Sequence, residues 1–168
     1  MPYCRTDDRV RIYYEEHGEG SPLVLAYGIG GNAGMWDVNV PALAAHHRLV
    51  LWEPRGHARS DSPEDPARYS FARWVLDLET VMDHLGLRTA HVGGLSLGAG
   101  IATRFALRFP SRVRSLLVTN SCQLIKLGTT LFWRMKSRYV LYQAEPGEGC
   151  PAVLGPTMMA FGKAARIC

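Results

Sequence analysis

The sequence of 168 residues lacks long apolar runs, and no stretch approaches the roughly eighteen apolar residues that a membrane-spanning helix needs. Its N-terminal segment, Met1–Asp8, has no apolar core and so does not resemble a secretory signal. We therefore expect a cytoplasmic protein with no membrane partner. Glycine has no fixed period and apolar residues make up 47% of the chain, which excludes collagen-like and disordered proteins.

Cysteine is scarce as well, and no two cysteines have C-x-x-C spacing. In the absence of an export signal we expect reduced thiols rather than a disulfide framework or a zinc site. No metal or organic cofactor is expected. The cysteines are Cys4, Cys122, Cys150 and Cys168.

Acidic residues are rare in the second part of the chain. Residues 97–168 carry 10 Lys and Arg against 2 Asp and Glu, whereas residues 1–96 carry 9 against 13. The basic side chains are spread around a predicted helix and strand and do not alternate with aromatic residues, so we do not expect nucleic-acid binding. The simpler interpretation is a solvated basic face. Its acidic partners are expected elsewhere, either in this chain or in residues beyond its end.

Short apolar runs predict buried strands, and the alternation over Arg9–His17 predicts a further strand that is exposed or at a sheet edge. The apolar runs are Leu23–Tyr27, Arg48–Glu53, Thr89–Leu95 and Val113–Thr119. Helices are predicted between them at Met35–His46, at Phe71–Leu85 and at Leu97–Phe109, the second with Ser70 as N-cap and Gly86 as its stop. Strands that alternate with helices indicate an α/β fold, a mostly parallel sheet with helices on both faces.

The sharpest motif is Gly94-Leu95-Ser96-Leu97-Gly98, between a predicted buried strand and a predicted helix. This is the G-x-S-x-G pattern in which a tight strand-to-helix turn exposes a nucleophilic serine. Gly94 and Gly98 suit a backbone that crowds against its neighbours. The pattern predicts Ser96 as a nucleophile.

A serine nucleophile also needs two backbone N–H groups for the oxyanion of the tetrahedral intermediate. The residue after the nucleophile, Leu97, supplies one. A glycine-rich loop after an earlier strand, Tyr27 to Gly31, is the candidate for the second. Gly28 and Gly30 allow its backbone to approach a substrate carbonyl closely.

These motifs resemble the α/β-hydrolase superfamily, in the branch of esterases, enol-lactonases, carbon–carbon bond hydrolases and cofactor-free haloperoxidases. The resemblance covers about residues 10–121 and includes the segment 53–61, which is similar to the family's D-x-R-G-x-G-x-S loop. It implies Ser96 as the nucleophile, the amides of Ile29 and Leu97 as the oxyanion hole, and a small-molecule acyl substrate. It also disfavours the epoxide-hydrolase and dehalogenase branches, which use aspartate as nucleophile.

The chain departs from the family pattern at three positions of these loops. Tyr27 replaces the usual histidine before the first loop glycine, Glu53 replaces an aspartate, and Ala58 replaces a glycine. We expect the tyrosine to alter the oxyanion loop most.

The triad order Ser…Asp/Glu…His is not completed in this chain. All six histidines precede Ser96, and residues 97–168 contain no Asp and no His, only Glu145 and Glu148 as acids. His91 is about 16 Å from Ser96 along one strand, which leaves His57 as the only geometric candidate for a base. His46, His47 and His84 are expected at the surface. We therefore expect this chain to be the N-terminal part of a longer hydrolase. It lacks the last strands of that hydrolase, and we expect it to be inactive on its own.

That expectation divides the chain into a core at 1–121, the start of a cap at 122–143 and an irregular tail at 144–168. Two other functions stay open. One is a catalytically inactive binding protein. The other is a dinucleotide-binding protein, because residues 28–33 satisfy G-x-G-x-x-A after a strand and Glu53 follows 20 residues after Ala33.

Overall fold

The computed structural model describes residues 2–119 and the backbone of residues 140–141. Within this part, seven strands form one sheet in the order β1-β2-β4-β3-β5-β6-β7. The strands are β1 Tyr3–Arg5, β2 Arg11–His17, β3 Ser21–Ala26, β4 His47–Trp52, β5 Ala90–Leu95, β6 Val113–Thr119 and β7 Val140–Leu141. The helices are α1 Val40–Ala44, α2 Phe71–His84 and α3 Leu97–Arg108, with short 3-10 turns at Ala33–Trp36, Pro66–Arg68 and Pro110–Arg112.

The sheet is parallel from β4 to β7, whereas β1 and β2 join it antiparallel. This confirms the predicted α/β fold. The predicted helix after Ser70 is also confirmed, since the Ser70 hydroxyl accepts a hydrogen bond from the Arg73 amide at 3.1 Å. Gly86 follows this helix with φ 67°, a left-handed conformation that suits a glycine at a helix end.

Two predictions about elements are wrong. The edge strand is the short β1, which pairs with β2, so β2 lies inside the sheet and buries Ile12. The predicted helix Met35–His46 is a 3-10 turn and the short α1, because Pro41 cannot lie inside a helix and instead stands in the first turn of α1. Residues 140–141, inside the segment expected to start a cap, form β7. Apart from β7, the proposed cap and tail lie outside the described residues.

The two faces of the sheet have separate apolar cores. Valines of the central strands, among them Val24, Val50 and Val92, pack with α2 and α3. Leucines that alternate with them, such as Leu25 and Leu51, pack on the other face, which α1 covers. This alternation follows from the period of two along a strand, and both faces of the central strands are buried.

One arginine of the basic second part pairs with acidic residues of the first part. Arg112 forms ion pairs with Asp83 at 2.7 Å and with Glu79 at 3.8 Å, both on α2. Cys4 is a buried free thiol, and burial raises its pKa to about 11. Among the described residues, no helix has the length and apolar character needed to cross a membrane.

Candidate active site

Ser96 occupies the turn between the end of β5 and the start of α3. Its backbone has φ 51° and ψ −105°, a conformation that residues with a side chain rarely adopt and that costs about 1–3 kcal/mol. The residue is exposed, and its Oγ forms no hydrogen bond with another described residue. Strain and exposure therefore coincide at the predicted nucleophile.

The two motif glycines allow the turn to press against the end of β3. A Cβ on Gly94 would lie 2.6 Å from the carbonyl oxygen of Ala26, and one on Gly98 would lie 2.6 Å from the carbonyl carbon of the same residue. The Gly98 N–H also donates a hydrogen bond to the carbonyl of Tyr27 at 2.9 Å. A larger residue at either position would force the two backbones apart.

The glycine-rich loop after β3 lies directly beside Ser96. A Cβ on Gly28 would be 3.4 Å from the Cβ of Ser96 and 3.9 Å from its Oγ. The loop closes by a hydrogen bond from the Gly31 N–H to the Gly28 carbonyl at 3.1 Å, with Gly30 at φ 73°. Ile29, between these glycines, has a side chain that is 79% exposed.

The two amides predicted for the oxyanion hole belong to residues next to this contact. Ile29 follows Gly28, and Leu97 is the first residue of α3, where a backbone N–H has no acceptor within the helix. The positive end of the α3 dipole is at the same point. The structure thus brings the predicted residues together at one edge of the sheet.

Tyr27, which stands where the family usually has histidine, supports the loop from below. It is 1% exposed, and a Cβ on Gly31 would lie 2.8 Å from its ring. Its ring meets that of His57 edge to face at 6.1 Å between centroids. The Tyr27 hydroxyl has no hydrogen-bond partner among the described residues, and burial, followed by the nearby Glu53 carboxylate, raises its pKa.

The buried carboxylate of Glu53 fastens the glycine-rich loop after β3 to the segment that follows β4. It accepts hydrogen bonds from the Ala33 N–H at 3.2 Å and from the Arg59 N–H and guanidinium at 2.6 Å. Because its oxygens accept these hydrogen bonds from two loops, the Glu53 carboxylate has a structural role. In the same segment Ala58 has φ 41°, which explains why glycine would be favoured there.

A buried ion pair anchors this segment to the core. The Arg55 guanidinium is fully buried and donates two hydrogen bonds of 2.7 Å to Asp77 of α2 and further bonds to Asp8. Sequence reasoning missed this pair. The signal was the position of Asp77, four residues before the buried Val81 on the apolar face of α2.

No described histidine forms a hydrogen bond with the Ser96 Oγ. His57 Nδ1 pairs with the Arg55 carbonyl at 3.1 Å. His91 is at the far end of β5, and its ring nitrogens pair with Ser115 and Ser21. His46 and His84 are exposed as expected, but His47 is half-buried with its ring 5.8 Å from that of His91, so the prediction of a surface residue is wrong for His47.

The geometry does not favour a dinucleotide or a metal. The glycine-rich loop leads into a 3-10 turn, and α1 starts only at Val40, so no helix N-terminus faces a pyrophosphate as the fingerprint requires. Glu53 is occupied by its loop contacts. In the part of the chain that the structure describes, no group of three or more His, Cys, Asp or Glu side chains could hold a metal ion.

Comparison with known proteins identifies relatives that share one fold family. The model of the alpha/beta hydrolase fold family matches residues 21–143. A protein of Azorhizobium caulinodans named "Putative carbamate hydrolase RutD" is 40% identical over 120 residues, which are 71% of this chain and 44% of that protein. This chain therefore spans less than half the length of that relative.

Two solved structures show the same likeness. A hydrolase from Pseudomonas aeruginosa is 35% identical, with a TM-score of 0.67 over 71% of this chain and 45% of that chain. The enol-lactonase from Burkholderia xenovorans is 27% identical, with a TM-score of 0.66 over 71% of this chain and 46% of the other. Together with the family match, these findings show that the chain belongs to the α/β-hydrolase fold family.

Proposed function

We propose that this chain carries the nucleophile and the oxyanion-binding backbone of a serine hydrolase that acts on a carboxylic ester, a lactone or a related acyl substrate. The observation that carries the proposal is the strained, exposed Ser96 beside the Gly28 backbone and at the N-terminus of α3. A strained backbone is kept only where surrounding structure holds it, and such positions cluster at functional sites.

In the proposed reaction, the Ser96 Oγ attacks the substrate carbonyl carbon while a base takes its proton. The N–H groups of Ile29 and Leu97 donate to the oxygen as it becomes an oxyanion. The leaving group departs with a proton, and water then releases the acid from the acyl-enzyme. Among the described residues, only Ser96 forms a covalent bond to the substrate in this scheme.

The substrate class follows from the surroundings of the serine. Ile29 and Met35 are exposed apolar side chains on or next to the oxyanion loop, so the group beside the carbonyl is expected to be apolar. Two relatives are named for a carbamate and an enol-lactone, and both substrates contain a carbonyl bonded to a heteroatom. A neutral acyl compound with an apolar side fits these features.

We further propose that the base and its acid partner come from residues that this sequence does not contain. The Oγ of Ser96 has no described base, and residues 97–168 contain neither histidine nor aspartate. A serine hydroxyl without a base is a weak nucleophile. On this proposal, the chain as given acylates slowly although its oxyanion site is formed.

Rescue by an external base tests the proposal. The purified chain is treated with a fluorophosphonate with and without imidazole, and the adduct on Ser96 is quantified in the tryptic peptide of residues 89–104. A positioned base supplies about 10²–10⁴-fold, so we expect imidazole to accelerate the adduct by about tenfold or more. Ser96→Ala must lose this adduct, and Ser62→Ala, at an exposed serine, must keep it.

A second candidate is a catalytically inactive member of the family that binds a ligand or a partner. The missing base favours it for the isolated chain. Absence of any imidazole effect on Ser96, with folding verified by circular dichroism, would support this candidate. Fast labelling of Ser96 without imidazole would instead show that the chain already contains an adequate base, and the proposal of an external one would fail.

A further inference from the structure

A row of polar side chains crosses the sheet at the end opposite to Ser96. It consists of residues near the amino ends of neighbouring strands: His47 and Ser21, the first residues of β4 and β3, His91, the second of β5, and Ser115, the third of β6. We call these residues the amino-end row. They border the leucine core that α1 covers, and Ser115 is buried while the other three are half-buried.

Within the amino-end row, a serine and a histidine are paired as a nucleophile and a base would be. The Ser21 Oγ lies 3.2 Å from His91 Nε2, and His91 Nδ1 lies 2.7 Å from the Ser115 Oγ. When Nδ1–H donates to Ser115, Nε2 is free to accept the Ser21 proton. A base held by a third group and hydrogen-bonded to a hydroxyl is the general arrangement of an activated nucleophile.

A cation also contacts the same hydroxyl. Arg114 donates from Nη1 to the Ser21 Oγ at 2.9 Å and from Nε to the Thr89 Oγ1 at 2.9 Å. Because a guanidinium can only donate, it uses a lone pair of the Ser21 oxygen and leaves the hydroxyl hydrogen for the imidazole. Its charge favours negative charge that develops on Oγ during attack.

The electrostatic surroundings keep the imidazole of His91 in its basic form. Burial lowers its pKa, and the neighbouring His47 and Arg114 lower it further. In the described part of the chain, neither His91, His47 nor Arg114 forms an ion pair with a carboxylate. At neutral pH the ring is therefore uncharged and able to take a proton.

We propose that Ser21 is a second reactive serine, a covalent modification site for acyl or phosphonyl donors in which His91 acts as the base. With a fluorophosphonate, the Ser21 oxygen forms a bond to phosphorus, the phosphorus–fluorine bond breaks and fluoride leaves, and His91 Nε2 takes the serine proton. This site is independent of the function proposed for Ser96, because it lies at the other end of the parallel strands.

Peptide mapping of the labelled chain tests the site directly. Trypsin places Ser21 in residues 12–48 and Ser96 in residues 89–104, so the two adducts are measured separately in one digest. We expect the Ser21 adduct to form without imidazole, to vanish in Ser21→Ala and to persist in Ser96→Ala. His91→Gln retains hydrogen-bonding groups but not the base, and should slow the adduct by about 100-fold.

A pH profile of the unsubstituted chain gives a second measurement that does not depend on how the variants fold. The groups that face His91 from neighbouring strands are His47, Arg114 and the two hydroxyls of Ser21 and Ser115. The labelling rate at Ser21 should rise through the lowered pKa of His91, below the ordinary histidine value of about 6.5, and then level off. A rate that is unchanged in His91→Gln, or that rises only above pH 8, would overturn the proposal, as would an adduct confined to Ser96.

Discussion

The two ends of this sheet each present a serine, and they are built by different means. At the carboxyl end, Ser96 is positioned by backbone: a left-handed φ, two motif glycines and the Gly28 loop. At the amino end, Ser21 is positioned by side chains: an imidazole, a guanidinium and a second hydroxyl. Among the described residues, Ser96 lies beside a glycine-rich backbone loop and has no hydrogen-bonded imidazole, whereas Ser21 has a hydrogen-bonded imidazole and no such loop.

This difference shows what each kind of site demands of a sequence. A site made of backbone needs small residues at fixed spacing and a rigid support, since its geometry is set by main-chain contacts. A site made of side chains needs residues far apart in sequence that the register of parallel strands brings together. The carboxyl end should therefore be sensitive to packing changes, and the amino end to changes of single polar groups.

The largest expected effect comes from the ion pair that supports the carboxyl end. Arg55→Met leaves the buried Asp77 carboxylate without its partner, which should lower the free energy of unfolding by about 3–5 kcal/mol. Urea denaturation followed by circular dichroism measures this. Arg11→Met is the matched control, because Arg11 pairs with Asp61 at the surface, where a pair contributes about 1 kcal/mol or less. Equal effects of the two variants would contradict the proposed anchoring role.

The next effect concerns the contact between the two backbones at Ser96. Gly98→Ala places a methyl 2.6 Å from the Ala26 backbone and should cost about 2–3 kcal/mol. Gly86→Ala serves as the comparison, because a Cβ on Gly86 would meet no atom within 4 Å, although Gly86, unlike Gly98, has a positive φ. That control should cost about 1 kcal/mol from backbone strain alone. If both variants unfold at the same urea concentration, close packing does not hold this turn.

One substitution should have opposite signs at the two serines. Ser96→Gly relieves a left-handed φ and should raise stability by about 1 kcal/mol, whereas Ser21→Gly removes hydrogen bonds and loosens a strand, and should lower it by about 1 kcal/mol. Thermal unfolding of both variants, with Ser96→Ala as a side-chain control, measures the difference. A loss of stability in Ser96→Gly would mean that Ser96 is not strained.

The arrangement around Ser96 at the carboxyl end could be predicted from the sequence, whereas the amino-end row could not. The spacing of Gly94, Ser96 and Gly98 between an apolar run and a helical pattern is local, so it predicted the strand-to-helix turn that the structure contains. Ser21, His91 and Ser115 lie on three strands, and only their register brings them into contact. Nothing in the neighbourhood of each residue marks it as part of a cluster.

The same reasoning explains the errors in the fold. The apolar spacing over Met35–His46 predicted one helix. Pro41 is a local signal against a helix that continues through it, and the prediction gave that signal too little weight. The alternating pattern of β2 predicted an edge strand. A strand with one buried face has the same pattern when it lies inside the sheet beside the short β1. The pairing of Arg55 with Asp77 depends on tertiary contact. The only indication of it in the sequence was an acidic residue on the apolar face of a helix.

The smallest expected effect tests whether Tyr27 acts through its ring or its hydroxyl. The ring packs under the glycine-rich loop after β3, whereas the hydroxyl is buried without a described partner. Removing an unpartnered buried polar group is nearly neutral or stabilising, so Tyr27→Phe should raise the free energy of unfolding by less than about 1 kcal/mol. Tyr27→Ala, which also removes the ring, should cost about 3–5 kcal/mol. Urea titrations of both variants separate the two contributions, and a marked loss in Tyr27→Phe would mean that the hydroxyl has a bonding role. In that case the carboxyl end would depend on a single polar group, as the amino end does, and the contrast between them would weaken.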